Sequence, residues 1–179
     1  MIVNLPNTIT LIRLLVLPFF LHKVLVEDYY NAFLLFLIGS ITDFLDGFFA
    51  RTLKQQTAFG SFFDPIVDKI FLLSSIIVLS IKGLIPEYFS YTILVRDTLV
   101  ITGTVFLIFN DGIKKIKPNK SGKFLIFLEF LIVLYVLSEK SFLYTIQHFY
   151  LKILIFIAII NSVISLYFYG KAFLKERAS

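Results

Sequence analysis

The sequence has no cysteine and no tryptophan, and charged residues fill only 16% of its 179 positions. Without cysteine there is no disulfide framework, no thiolate metal site and no signal of redox compartment. The shortage of charge argues against a fully solvated surface. Apolar residues reach 58% and the mean hydropathy is +0.89, whereas soluble domains lie nearer about 45–50% apolar. The net charge is +5. Its cations cluster in short segments between apolar runs and not along one soluble face, so nucleic acid is not expected as a partner. The abundant residues are aliphatic and aromatic, with 22 Phe and 9 Tyr.

Crossing a bilayer takes roughly 20 mainly apolar residues in a helix. Six stretches qualify: Thr8 to Val26, Tyr30 to Ala50, Ser61 to Ile81, Glu87 to Phe109, Lys123 to Leu137 and Ile146 to Tyr169. Between them lie Glu27-Asp28, the polar run Thr52–Thr57, Lys82-Gly83 with Pro86, Asn110-Asp111-Gly112 and Ser138-Glu139-Lys140. The expected fold is therefore an all-α integral membrane protein with six transmembrane helices, built as a single domain over residues 1–179. No secretory leader is expected, because Arg13 interrupts the first apolar run. Pro6-Asn7-Thr8 reads as a helix start, with Asn7 or Thr8 as cap.

Loop charges orient the chain. With six spans, one side carries Arg51, Lys54, Lys114, Lys115, Lys117, Lys120, Lys123, Lys171, Lys175 and Arg177; the other carries Lys23, Lys82 and Lys140. The ten-to-three bias predicts that both termini are cytoplasmic. Tyr29, Tyr30, Tyr88, Tyr91, Tyr144 and Tyr150 then form much of an outer aromatic belt.

Apart from Glu87 at the very start of the fourth, the expected spans hold six of the 12 acidic residues: Asp43, Asp46, Asp64, Asp68, Asp97 and Glu129. Ionisable groups at membrane depth are costly and point to function. On the second helix Asp43, Asp46, Gly47, Ala50 and Arg51 fall at i, i+3, i+4, i+7 and i+8, which is one face. On the third, Gly60, Asp64 and Asp68 fall at i, i+4 and i+8. A short link makes these helices antiparallel neighbours, so the acidic faces form one cup on the cytoplasmic side. Clustered carboxylates repel one another unless a cation intervenes. An all-oxygen ligand set favours Mg2+ or Mn2+, as one or two ions. The small residues admit a ligand close to the helix backbone, and Arg51 is placed to meet a phosphate. A cation channel or transporter also uses acidic rings, but does not require small residues and an arginine on the same stripe.

The run Asp43-x2-Asp46-Gly47-x2-Ala50-Arg51-x8-Gly60-x3-Asp64-x3-Asp68 resembles the signature of the CDP-alcohol phosphatidyltransferases. Eight fixed positions recur by chance about once in 10^10 starting points at ordinary residue frequencies, so the resemblance is specific. It extends to the opening Asn4-Leu5-Pro6-Asn7-Thr8-Ile9-Thr10-Leu11-Ile12-Arg13. The resemblance implies phospholipid biosynthesis in the cell (inner) membrane. An alcohol attacks the phosphate of CDP-diacylglycerol and CMP leaves. It further implies that Asp43, Asp46 and Asp64 ligate metal, that Asp68 is the general base and also a metal ligand, and that Gly47, Ala50, Arg51 and Gly60 contact the donor nucleotide. A homodimer is implied by the resemblance alone.

Arg96 and Lys123 are the candidate acceptor-binding residues. Arg96 and Asp97 also read as a charge pair linking helices, and Lys123 reads as an ordinary cytoplasmic lysine at the start of a span. The opening and Gly122-Lys123 resemble bacterial phosphatidylglycerophosphate synthases, which makes glycerol 3-phosphate the expected acceptor. Phe124-Leu125-Ile126 and Thr104 depart from that pattern. Arg96-Asp97, Asp64-Pro65-x2-Asp68-Lys69 and Tyr167-x-Tyr169-Gly170-Lys171 resemble the cardiolipin synthases, for which phosphatidylglycerol is the acceptor.

Overall fold

The computed structural model describes residues 5–52, 58–111, 120–142 and 148–177, with side chains over 11–42, 66–106, 120–142 and 149–174. The described residues form six α-helices: α1 Leu5–Leu25, α2 Tyr29–Thr52, α3 Ala58–Ile81, α4 Glu87–Asp111, α5 Lys120–Phe142 and α6 His148–Arg177. Two of them, over Lys120–Phe142 and Phe149–Leu174, are long and apolar enough to cross a membrane.

Several boundaries differ from the sequence expectation for physical reasons. α1 already includes Leu5, so Asn7 and Thr8 lie inside the helix and do not cap it. Pro6 sits in the first turn, where its missing N–H goes unused. α3 opens at Ala58, three residues before the Ser61 expected from hydropathy. α5 runs through Ser138-Glu139-Lys140 to Phe142. Those residues interrupt hydropathy but not helix, since Glu and Lys are good helix formers. α6 continues past Tyr169 to Arg177 for the same reason, through Lys171, Ala172, Leu174 and Lys175. The Lys114, Lys115 and Lys117 run and Tyr144 lie outside the described residues.

The chain divides into two compact units. The first holds residues 1–84 and 133–145 and so contains α1, α2, α3 and the end of α5. Arg13, Leu17, Phe20 and Val24 form the buried stripe of α1, at helical spacing. Phe20 meets Phe36 of α2 at 6.0 Å and Phe71 of α3 at 5.8 Å between ring centroids, and Phe36 stacks on Phe71 at 5.8 Å. A second point of contact, from Arg13 to Gly39 of α2 and Asp68 of α3, shows that α2 runs antiparallel to α1 and α3 parallel to it.

Two matching turns close the C-terminal ends of α1 and α3. The Asp28 N–H donates to Lys23 O and the Glu27 N–H to Val24 O; likewise Leu84 donates to Leu79 O and Gly83 to Ser80 O. This double bond is the Schellman motif, which needs a left-handed residue. Gly83 supplies it at φ 69°, and Glu27 takes the same conformation at φ 63°. Glu27 is held there by Lys82, whose Nζ donates to its carboxylate at 2.7 Å. Asp28 caps α2 by accepting from the Asn31 backbone and side-chain amides and from Lys23 Nζ. The hydrogen bond and then the charge of Lys82 hold the Glu27 carboxyl below its ordinary pKa. Hydrogen bonds from Lys23 and Asn31 do the same for Asp28.

The second unit holds residues 85–132 and 146–179, comprising α4, most of α5 and α6. Its polarity is inside-out. On α6 Ser162 and Ser165 are buried while Phe156, Ile160, Val163 and Tyr167 are exposed. Arg96, Asp97 and Glu129 are buried as well. Large apolar side chains facing outward around a polar interior suit lipid as the surrounding solvent. Tyr30, Tyr88, Tyr91 and Tyr150 are exposed, as interface anchors require.

Candidate active site

The phenylalanine cluster sets the register of the acidic helices. Gly39 of α2 lies against the ring of Phe71 on α3, where an added Cβ would come within 2.6 Å of Phe71 Cζ. Side-chain absence at Gly39 is thus what lets the Phe71 ring lie against α2. Asp43 and Asp46 follow Gly39 by one and two turns on α2, and Asp68 and Asp64 precede Phe71 by one and two turns on α3. Both pairs stand on continuous α-helix backbone. The side chains of Asp43, Asp46 and Asp64 lie outside the described residues, as do those of the donor-site candidates Ala50 and Arg51; Gly47 and Gly60 fall in the same segments.

Asp68 is described, and its neighbour was not anticipated. Arg13 Nη1 forms an ion pair with Asp68 Oδ1. The Arg13 side chain is 1% exposed and that of Asp68 is 37% exposed. Arg13 Nε also donates to the Gly39 carbonyl at 3.2 Å, which accepts a second bond from Thr42 Oγ1 at 2.7 Å. One guanidinium on α1 therefore bridges α2 and α3 beside the acidic residues. In sequence, Arg13 was visible as a charge in the first apolar run and as the last residue of the family-like opening, with no partner or role attached.

The residues fit a hard divalent cation by the chemistry of their donors. Asp43, Asp46, Asp64 and Asp68 bring four carboxylates at helical spacing on α2 and α3. Carboxylate oxygens are the ligands that Mg2+ and Mn2+ prefer.

The acceptor candidates sit in the second unit. Arg96 Nη1 donates to Asp97 Oδ1 at 2.7 Å and Nη2 to Ser165 Oγ at 2.5 Å. Its guanidinium lies 5.6 Å from the centroid of the Tyr169 ring. It thus ties α4 to α6, as the charge-pair reading expected of a linker, although its carboxylate partner is the adjacent residue. A Cβ on Gly122 would lie 3.2 Å from Arg96 Nη2, so glycine there gives α5 its close approach to the guanidinium. Lys123, one residue on, is exposed. Asn161 Nδ2 donates to Ser121 O at 2.9 Å, and Ser121 Oγ donates back to Asn161 Oδ1 at 2.8 Å. Asn161, Ser165 and Tyr169 form an i, i+4, i+8 stripe on α6 that anchors both the start of α5 and Arg96. That spacing was present in the sequence but carried no acidic or basic group to draw notice. Thr104 lines an apolar groove of about 280 Å³ with Leu99, Gly103, Leu166 and Phe173.

The family model for CDP-alcohol phosphatidyltransferase matches residues 3–164. The CDP-diacylglycerol--glycerol-3-phosphate 3-phosphatidyltransferase of Aquifex aeolicus is 40% identical over 126 residues, 68% of each chain. The protein of the same name from Bacillus subtilis is 31% identical over 135 residues, 67% of this chain and 69% of its own. A Mycobacterium tuberculosis protein named "Putative cardiolipin synthase" is 32% identical over 125 residues, 68% of this chain and 58% of its own. With most of its length matched by the family model and its acidic signature intact on α2 and α3, the chain belongs to the CDP-alcohol phosphatidyltransferase family.

Proposed function

We propose that this chain transfers a phosphatidyl group from CDP-diacylglycerol to glycerol 3-phosphate and releases CMP. The Arg13 guanidinium, which joins Asp68 of α3 to Gly39 of α2 one turn before Asp43, is the observation that carries the reading. The relatives named as glycerol-3-phosphate phosphatidyltransferases support the choice of acceptor.

Asp43, Asp46, Asp64 and Asp68 would hold the divalent cation, Mg2+ or Mn2+. When bound, it supplies neutralisation of the charge on the pyrophosphate. Gly47, Ala50 and Gly60 leave room for the nucleotide beside the helix backbone, and Arg51 meets its phosphate. Asp68 takes the proton of the acceptor hydroxyl as that oxygen bonds to phosphorus, and the bond to CMP breaks with its electron pair on the departing phosphate. A base needs only hydrogen-bond reach to the attacking hydroxyl, and the partly exposed Asp68 side chain offers it. Arg96 and Lys123 are the proposed residues for the acceptor's phosphate. The six helices would cross the membrane six times with both termini cytoplasmic, following the loop charges.

The mycobacterial relative favours a second acceptor, phosphatidylglycerol. An acceptor panel separates the two. Purified protein with CDP-diacylglycerol and Mg2+ or Mn2+ is offered glycerol 3-phosphate, phosphatidylglycerol, inositol phosphate or serine, and lipid products are resolved. Glycerol 3-phosphate should give the fastest CMP release. Faster release with phosphatidylglycerol would replace the first reading by the second.

A further inference from the structure

We infer that Arg13 is a positioning residue for the reaction: it fixes the Asp68 carboxylate by bracing it against the backbone of α2. The inference rests on the assignment of Asp68 as the base.

Three observations carry it. First, Arg13 occupies the core-facing stripe of α1, in line with Leu17, Phe20 and Val24, where a full charge at 1% exposure is costly unless it is paired. Its sequence neighbours Ile12 and Leu14 are exposed, so the side chain turns inward and away from lipid. Second, the guanidinium engages two helices through one rigid plane. Nε is held by the Gly39 carbonyl, and Nη1 pairs with Asp68 Oδ1. A planar guanidinium grasped at two positions has a fixed direction. Third, the pairing leaves the carboxylate unevenly accessible. Asp68 Oδ1 is sealed from solvent, so the 37% exposure of the side chain falls on its other atoms. One oxygen is thereby committed to the brace while the side chain still opens outward.

The anchor point matters as much as the pair. Gly39 lies one helical turn before Asp43, on the helix that also carries Asp46. Arg13 therefore ties the helix of Asp68 to the helix of two further carboxylates, and α1 sets the spacing of a site to which it contributes no ligand. A base held in this way keeps its orientation toward the acceptor hydroxyl. A base that is not held samples other rotamers of its carboxylate. Misplacement of a reacting group by about 1 Å costs up to about 100-fold in rate. At saturating Mn2+ the loss belongs in kcat, because the other three proposed carboxylates still hold the cation and the acceptor's phosphate is assigned to Arg96 and Lys123.

The test compares Arg13→Gln and Arg13→Lys with wild type in the full-length protein, in liposomes with CDP-diacylglycerol, Mn2+ and glycerol 3-phosphate. CMP release gives kcat and both KM values, and thermal melting in detergent reports the fold. Arg13→Gln should lose about 100-fold in kcat, with both KM values within about threefold of wild type. Arg13→Lys keeps the charge but cannot reach both anchors, and should lose only about three- to tenfold. A folded Arg13→Gln with wild-type kcat overturns the inference, as does a loss confined to KM. If Arg13→Gln does not fold, Arg13→Lys decides: a three- to tenfold kcat loss at constant KM supports the brace, and wild-type kcat overturns it. No CMP release by wild type itself with any acceptor would instead overturn the proposed function, and the inference with it.

Discussion

Gly39→Ala should weaken the protein where the acidic helices cross and slow it more than it destabilises it. The new methyl group would stand 2.6 Å from Phe71 Cζ and 3.1 Å from each flanking ring carbon. Ordinary contact begins near 3.4 Å, so the ring must retreat by about 0.8 Å. A ring tip at a protein surface would do so cheaply. Phe71 is 5% exposed and lies between Phe20 and Phe36, so its retreat disturbs both ring contacts or pushes α3 from α2. Overpacking of this kind costs about 1–3 kcal/mol, against about 1 kcal/mol gained by replacing glycine inside a helix. The net is up to about 2 kcal/mol, or a melting shift of about 2–8 °C for a chain of this size. The same displacement moves Asp68 relative to Arg13 and Asp43, so kcat should fall by about tenfold or more. Melting in mild detergent and CMP release on the same preparation measure both. Adding Phe71→Leu should restore part of the activity by giving the methyl group room. A Gly39→Ala protein that melts and turns over like wild type would refute the crossing as the feature that sets the site.

Other perturbations probe the remaining parts. Glu27 and Asp28 have lowered pKa values in the fold, so their contribution is present above the ordinary carboxylate pKa and is lost as the pH falls below about 4. A melting-versus-pH series should show that loss in wild type and a flatter acid limb in Glu27→Gln/Asp28→Asn; because both groups are exposed, high salt should shrink the difference. Ser165→Ala removes a partner of Arg96 worth about 1 kcal/mol, so the acceptor KM should rise about fivefold with the donor KM unchanged; equal KM values would detach Arg96 from acceptor binding. Chelation by EDTA should abolish CMP release, and Mg2+ or Mn2+ should restore it. Turnover that survives chelation would count against the carboxylates as metal ligands.

The helices were legible in the sequence because turns and charges punctuate an apolar chain, and the signature was legible because acids and small residues keep helical spacing. Partners across the fold were not. α1 is apolar on every side, as a helix facing both lipid and protein must be, so its periodicity did not say that Arg13 points inward. Nor did any local pattern join Arg13 to Asp68 or Arg96 to Ser165, 69 residues apart. Helix ends were misjudged where hydropathy stopped before helix did, at Leu137 and Tyr169. The turn at Glu27 was read as a break, but its left-handed geometry and its bond to Lys82 depend on a second turn distant in sequence.

The proposed function has the four aspartates perform phosphatidyl transfer with Asp68 as base. CMP release from CDP-diacylglycerol, measured in parallel for wild type and Asp68→Asn at matched melting temperature, is its decisive measurement. Wild type should show steady, acceptor-dependent release and the variant none above background. Near-normal release by Asp68→Asn, or no release by wild type with any acceptor, would contradict it.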